Sequence, residues 1–316
     1  VHAACIKGMR QHLRSISKGP RSVSCDDRSS AAIGGKTIFD HADDLRVKVP
    51  TSCGRVGTCH ECIVDIRSGA DGLRPRTEAE AFLGGQYRLA CQAVIEDSGS
   101  DVVFGLLRRT PKILVAQQQR PVAIDPMVTR QGEKVYYGNE ELDEYRGHLY
   151  GVALDVGTTT IVLEMVDLET GRSCHVESFE NPQRFGDSDV MSRISYDGGK
   201  YNGELHTAII NTVNTALRET CARVGVSRHE IYEILVVGNT TMRELFFGLD
   251  VQTIGQKPYR STTEQEYRDG ARETTGLRES ARRLRILANR NAVVCGVPII
   301  ASHVGGDIVS DLVAID

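Results

Sequence analysis

Four of the nine cysteines in this chain are spaced to hold metal. Cys53, Cys59 and Cys62 form a C-x5-C-x2-C loop, and Cys91 arrives from a separate, later segment. Three thiolates on one loop and a distant fourth make the donor set of an iron–sulfur cluster, because a single loop can wrap the cage while one ligand returns from elsewhere. Gly54 and Gly57 suit that purpose, since a residue without a Cβ lets the backbone bend sharply and aim N–H groups at sulfide. The spacing points to a 2Fe–2S cluster. The rival readings are structural zinc, which pairs CxxC knuckles where this chain has one, and unrelated thiols. A Rieske-type centre needs two histidines in place of two cysteines, so His60 reads as a loop residue. Arg55 reads either as a solvated charge or as a group that tunes potential or docking. Cys5, Cys25, Cys174, Cys221 and Cys295 are scattered and read as small hydrophobes, which implies a reducing compartment.

A second group of residues suits phosphate. The run Leu154-Asp155-Val156-Gly157-Thr158-Thr159-Thr160 ends one strand and begins the next. Backbone N–H groups around Gly157 and the hydroxyls of Thr158, Thr159 and Thr160 can cradle phosphate, with Asp155 holding magnesium through water. An ordinary hairpin can carry the same residues. Val237-Gly238-Asn239-Thr240-Thr241 is a second turn, from strand to helix, where a helix N-terminus offers an anion site. Helix capping by Asn239 or Thr240 accounts for it equally well. Asp189 reads either as a carboxylate near the metal or as an ordinary helix start.

The elements that must position these groups follow from pattern. A chain of 316 residues is about two domains' worth. Its 38 basic and 42 acidic residues, net −4, exclude a general nucleic-acid binder. Hydrophobic content of 40% without a long apolar run marks a globular chain that does not span a membrane. Residues 1–33 lack a secretory signal and read as a disordered N-terminal extension or, less simply, an organellar transit peptide. Ser22 to Ser30 is polar and offers no strand. In 34–104, Asp40 to Leu45 is helical, Val47 to Pro50 ends a strand, and Ile63 to Ile66 alternates like a strand. Thr77 and Glu80 form a capping box opening a helix through Leu83, and Arg88 to Ile95 and Asp101 to Phe104 are extended. Residues 105–148 read as a linker with at most one helix. From 149 the order is β-β-β-α-β-α-β-α, with helical spacing strongest from Leu205 to Val224. A short helix follows at Thr241 to Leu249, a strand at Val293 to Ile300 and a last helix at Asp307 to Ile315.

Gly35 to Phe104, with its cysteine loop and Arg88-Leu89-Ala90-Cys91-Gln92, resembles a 2Fe–2S ferredoxin of the β-grasp fold, nearest the adrenodoxin-like branch. The strand–helix order after Leu149 is similar to a ribonuclease H-like subdomain. The fold class expected is therefore α+β followed by α/β. Both parts, with Asn181-Pro182-Gln183, Phe185-Gly186, Asp189 to Ile194, and Gly238 to Met242 followed by Gly248-Leu249-Asp250, resemble the reductive activators of corrinoid-dependent enzymes.

That resemblance implies a 2Fe–2S cluster on Cys53, Cys59, Cys62 and Cys91. It also implies an ASKHA-type (actin, sugar kinase, Hsp70-like) domain that uses ATP to drive an electron onto a Co(II) corrinoid, restoring Co(I). Asp155, Gly157, Thr158, Thr159 and Thr160 form its first phosphate loop, with Asp155 as the catalytic ligand to magnesium-bound water. Gly238, Asn239 and Thr240 line the cleft. The implied partners are a corrinoid protein or corrinoid-dependent methyltransferase and an upstream electron donor, in the cytoplasm. The family's middle domain is too large for 105–148. The resemblance further implies a second ribonuclease H-like half beyond Asp316, so the chain is expected to be truncated, to bind ATP and magnesium weakly or not at all, and to lack ATPase activity alone. Two other functions fit the residues: a simple ferredoxin carrier with a degenerate docking module, and a kinase-like nucleotide-binding protein with a structural metal.

Overall fold

A computed structural model describes residues 21–96, 100–107 and 124–308. The chain falls into two compact units, one of the residues up to Ala81 with Gln86–Leu106, the other of Phe82–Gly85 with the chain from Leu107.

The first unit contains β1 (Ser22–Cys25), β2 (Arg28–Ala31), α1 (Ile38–Asp44), β3 (Ile63–Ser68), β4 (Tyr87–Leu89) and β5 (Val102–Leu106). The strands lie in the order β2-β1-β5-β3-β4, with β1 and β5 parallel and the other pairs antiparallel. This is the β-grasp arrangement. α1 starts at a reciprocal capping box in which the Thr37 hydroxyl accepts from the Asp40 N–H (3.1 Å) and the Asp40 carboxylate accepts from the Thr37 N–H (2.9 Å).

Three expectations for this unit are corrected. The polar stretch ahead of Gly35 is a hairpin of the sheet, not a disordered extension. Val23 and Cys25 alternate inward at 0% and 2% exposure while the serines face out. β2 is polar because it is the edge strand, where exposed polar residues discourage pairing with another chain. Residues 1–20 lie outside the described residues. The capping box at Thr77 and Glu80 is present, but it opens only a 3₁₀ turn at Glu78–Glu80, and Val47 to Pro50 is irregular.

The second unit begins with three short antiparallel strands, β6 (Val128–Gln131), β7 (Lys134–Tyr137) and β8 (Glu140–Glu144). The expected linker at 105–148 therefore contains a sheet. Each strand buries about one apolar side chain among charged ones, so hydropathy does not reveal it. Val128, Val135 and Leu142 form a core only together with Leu149, Tyr232 and Val293 from further along the chain. The main sheet is built from β9 (Tyr150–Val156), β10 (Thr160–Asp167), β11 (Arg172–Glu180), β12 (Ile231–Val237), β13 (Leu277–Ser280) and β14 (Val293–Gly296). Its order is β11-β10-β9-β12-β14-β13, with β9, β12 and β14 parallel and the remaining pairs antiparallel. Without β13, the order 3-2-1-4-5 is the ribonuclease H-like pattern that the sequence led us to expect.

The helices of this unit are α2 (Val190–Asp197), α3 (Glu204–Val224), α4 (Thr240–Phe247) and α5 (Thr262–Arg268). α3 buries Leu205, Ile209, Val213, Leu217 and Cys221, the four-residue spacing read from sequence. α5 and β13 are additions that the sequence reading did not contain. The last expected helix is described only as far as Ile308.

Candidate functional site

Cys62 and Cys91 meet because β3 and β4 pair. Ile63 is opposite Leu89, so Cys62 just before β3 and Cys91 in the turn after β4 meet with sulfurs 3.4 Å apart. The Ala90 N–H donates to the Cys62 carbonyl (2.8 Å) and fixes that turn. Cys53 and Cys59 make a second thiol pair within the loop, with the Thr51 hydroxyl 4.0 and 3.9 Å from their sulfurs.

Left-handed backbone at Gly54 (φ 67°), Arg55 (φ 71°), Gly57 (φ 87°) and His60 (φ 56°) coils this loop. A Cβ on Gly57 would also meet Gln92 Nε2 at 3.0 Å and Ala79 Cβ at 3.1 Å, so a side chain there is crowded as well as strained by its backbone. Burial opposes ionisation of Cys53, but the N–H groups of Cys59, Thr58 and Gly57 and the Cys59 thiol bring its pKa down to about 5. Cys91 is lowered to about 6, first by the Cys62 thiol and, against burial, by the Gln92 amide. Cys62 is pushed up by its hydrogen bond to Cys91 and by burial. Among the described residues, no three His, Cys, Asp or Glu side chains converge on one ion. Two thiol pairs with N–H groups turned toward them suit a cluster of two irons taking two thiolates each, and do not suit a single tetrahedral zinc.

Two residues outside the ligand set hold this geometry. Glu80, fully buried, accepts from Arg88 Nε (2.6 Å), Arg88 Nη2 (3.0 Å), the Leu89 N–H (3.0 Å) and the Thr77 N–H (3.0 Å). It ties the turn at 77–80 to the strand that delivers Cys91. Only the capping-box spacing hinted at this in the sequence. Arg55 is neither free nor aimed at the cluster loop's thiols. It pairs with Asp43 (2.6 Å) and Asp40 (3.4 Å) and lies 4.0 Å from the centroid of the Phe39 ring.

In the second unit, parallel pairing of β9 with β12 sets Asp155 opposite Val237 and brings both glycine-threonine turns to one sheet edge, at the strands' C-terminal ends. Ligands of open α/β sheets bind at that edge. Asn239 joins the turns: its Nδ2 donates to the Thr158 hydroxyl (3.2 Å), while its Oδ1 caps α4 by accepting from the Met242 N–H (3.0 Å). The capping reading of Asn239 is realised, and its bond to Thr158 was not expected from the sequence. A Cβ on Gly157 would meet the Thr160 carbonyl at 2.6 Å, and one on Gly238 would meet the Val156 carbonyl at 2.7 Å.

Asp155 and Thr159 are exposed, whereas Thr160 is half-buried and Thr240 fully buried with a hydroxyl that has no hydrogen-bond partner. Asp189 is the N-cap of α2, accepting from the Ser192 N–H (2.9 Å). Two buried side chains given no role beforehand brace the first turn. Asn181 Nδ2 donates to the Gly157 carbonyl (2.8 Å), and Arg193 Nη2 donates to the Thr158 carbonyl (2.8 Å). Both stand in the sequence strings quoted for the resemblance, but only the fold brings them to the turn.

The unit carrying the thiol pairs and the unit carrying the bridged turns define a class: a 2Fe–2S ferredoxin domain joined to a ribonuclease H-like domain. A 2Fe–2S iron–sulfur cluster binding domain model matches residues 26–96, and the model of the RACo middle region matches residues 150–316. The chain belongs to the RACo family. The model of the family's middle region thus falls on the ribonuclease H-like unit, so that unit, not a separate domain ahead of it, is the middle domain.

The corrinoid activation enzyme RamQ of Eubacterium limosum is 23% identical over 264 residues, covering 70% of this chain and 44% of RamQ. Chlorosome protein I of Chlorobaculum tepidum is 35% identical over 81 residues, 24% of this chain and 33% of that protein. The solved structure of a reductive activator for corrinoid, iron–sulfur protein superposes with a TM-score of 0.52 at 23% identity, covering 92% of this chain and 57% of that one. The chain thus spans less than two thirds of the relatives it matches. Among the described residues, no helix is long and apolar enough to cross a membrane.

Proposed function

We propose that this chain is the electron-delivering part of an ATP-dependent reductive activator, passing one electron to the Co(II) corrinoid of a partner protein in the cytoplasm to yield Co(I). The observation that supports it most is the Asn239–Thr158 bond, which makes one edge of two glycine-threonine turns in a chain that also carries two thiol pairs. Cys53 and Cys59 would hold one iron, and Cys62 and Cys91 the other. Bound there, a 2Fe–2S cluster supplies a one-electron redox centre, reloaded by an upstream one-electron donor.

The chain's own residues offer what ATP would require. N–H groups around Gly157 and Gly238 would hold the phosphates, with the hydroxyls of Thr158, Thr159 and Thr160 as further donors. Asp155 would hold magnesium-bound water at the strand end. Asn181 and Arg193 engage the carbonyls of Gly157 and Thr158, which favours donors rather than acceptors on the ligand side of the turn.

The test is anaerobic. A full-length version carrying its cluster is reduced and mixed with a Co(II) corrinoid protein, with and without ATP and magnesium, and Co(I) is followed by its visible absorbance. Co(I) formation that depends on nucleotide is the expected result. A loaded, reducible cluster that yields no Co(I) under either condition overturns the reading.

A further inference from the structure

A cavity of about 480 Å³ lies in the second unit, bordered by Asp143, Arg146, Arg228, Arg282, Asn289 and Arg290 among others. Its walls come from the segments that lead into the N-terminal ends of the parallel strands. Arg146 precedes β9, Arg228 precedes β12, and Asn289 and Arg290 precede β14. The glycine-threonine turns sit at the opposite ends of these strands. β12 alone is seven residues, about 20 Å at roughly 3.3 Å per residue, so one small ligand cannot occupy both places.

The charge in this cavity is uneven. Asp143 is the one carboxylate on its wall, and it is already engaged. It accepts from Arg146 Nε (2.9 Å) and Nη2 (3.2 Å) and from Asn289 Nδ2 (2.6 Å). Burial works to raise its pKa, but those bonds hold it below the usual carboxylate range. Nearby arginines outside the cavity are neutralised as well, Arg278 by Glu140 (2.7 Å) and Arg283 by Glu279 (3.0 Å). Arg228, Arg282 and Arg290 have no carboxylate within ion-pair distance among the described residues. Three uncompensated guanidiniums therefore share one cavity in a chain whose net charge is −4.

The wall between them is cross-braced rather than loose. Asn289 Nδ2 also donates to the His229 carbonyl (2.8 Å), and Asn291 Nδ2 donates to the Leu142 carbonyl (2.6 Å). With these amides spent, the guanidiniums and the His229 ring are the free polar groups facing a ligand. No phenylalanine, tyrosine or tryptophan lines the cavity, so an aromatic ligand has only the His229 ring and the guanidinium planes to stack on.

We propose that this cavity is a second ligand site, separate from the nucleotide turns, for a compact non-aromatic anion carrying two phosphate groups. Guanidinium forks match phosphate oxygens two by two, and three of them balance such a dianionic or more highly charged ligand. The volume lies within the range of small-molecule pockets. The assignment does not depend on the corrinoid reading.

Isothermal titration of the protein with inorganic pyrophosphate and with fructose 1,6-bisphosphate tests it, and the tighter of the two tells a free diphosphate from a phosphorylated metabolite. Arg228→Ala, Arg282→Ala and Arg290→Ala should each weaken binding about tenfold, the loss of one charged hydrogen bond. They should leave the circular dichroism melt unchanged, because these side chains are exposed. Binding should also weaken steeply with added salt. No binding of either compound at millimolar concentration overturns the proposal. So does binding that survives all three substitutions, or binding that Gly157→Val abolishes while the arginine variants keep it.

Discussion

Cys62 and Cys91 meet at 3.4 Å because two strands pair, and Cys53 meets Cys59 because four left-handed residues coil one loop. Loss of either kind of ligand should empty the centre. Anaerobically purified protein is expected to be brown, with about two irons and two sulfides per chain, and Cys59→Ser and Cys91→Ser to be colourless. Iron and sulfide assays with the visible spectrum check this, and one zinc per colourless parent chain would contradict it. Glu80 gives a second outcome at this scale. Burial acts to raise its pKa, but the hydrogen bonds from Arg88, Thr77 and Leu89 outweigh it and hold the group below the usual carboxylate range. Its contribution to stability is therefore present above about pH 4.5 and lost as pH falls through the lower folded-state value. Glu80→Gln leaves the Arg88 charge buried and uncompensated, and should cost about 3–5 kcal/mol at neutral pH with a flatter acid limb. Chemical denaturation followed at several pH values reads both effects.

Among the elements, the three-stranded sheet of β6, β7 and β8 shows how a stretch without periodicity becomes structure. Its buried residues, Val128, Val135 and Leu142, meet partners from segments around 149, 232 and 293. Leu142→Ala should cost about 2–5 kcal/mol and lower the melting temperature of the second unit, with no change in the visible spectrum of the first. Differential scanning calorimetry with parallel absorbance separates the two. Asn239 works at the junction of an element with a turn, since one side chain both caps α4 and holds Thr158. Asn239→Ala should cost about 1 kcal/mol as a lost cap. It should reduce nucleotide response by more than that destabilisation explains, whereas Asn239→Asp keeps the cap and loses only the donor to Thr158.

For the whole molecule, division into two units predicts independence. In a full-length version, Asp155→Ala should leave the spectrum of the cluster unchanged while removing ATP stimulation of corrinoid reduction, because the thiol pairs and the turns belong to different units. Equal stimulation of mutant and parent would remove Asp155 from the role given to it. Conversely, Cys91→Ser should abolish electron delivery and leave nucleotide binding as it was, which titration with ATP and magnesium would show.

The cysteine loop, the two glycine-threonine turns and α3 were legible in the residues, because each depends on local spacing: ligand intervals, turn chemistry, a four-residue stripe; the five-strand order of the second unit was implied by the resemblance alone. What tertiary structure alone decided depends on partners remote in sequence. β1 and β2 escaped detection because β1 buries only Val23 and Cys25 and finds its partner strand near residue 104, while β2 is a polar edge strand, and β6 to β8 because each carries one buried residue. The distribution of cysteines into two pairs follows from β3–β4 register, and the bond between Asn239 and Thr158 from parallel alignment of β9 with β12. Asn181 and Arg193 likewise acquire their work only where the chain returns to the first turn. Local pattern specifies which groups a turn or loop can present. Strand register then sets which of them stand within hydrogen-bonding distance of one another, and register is a long-range property of the folded sheet.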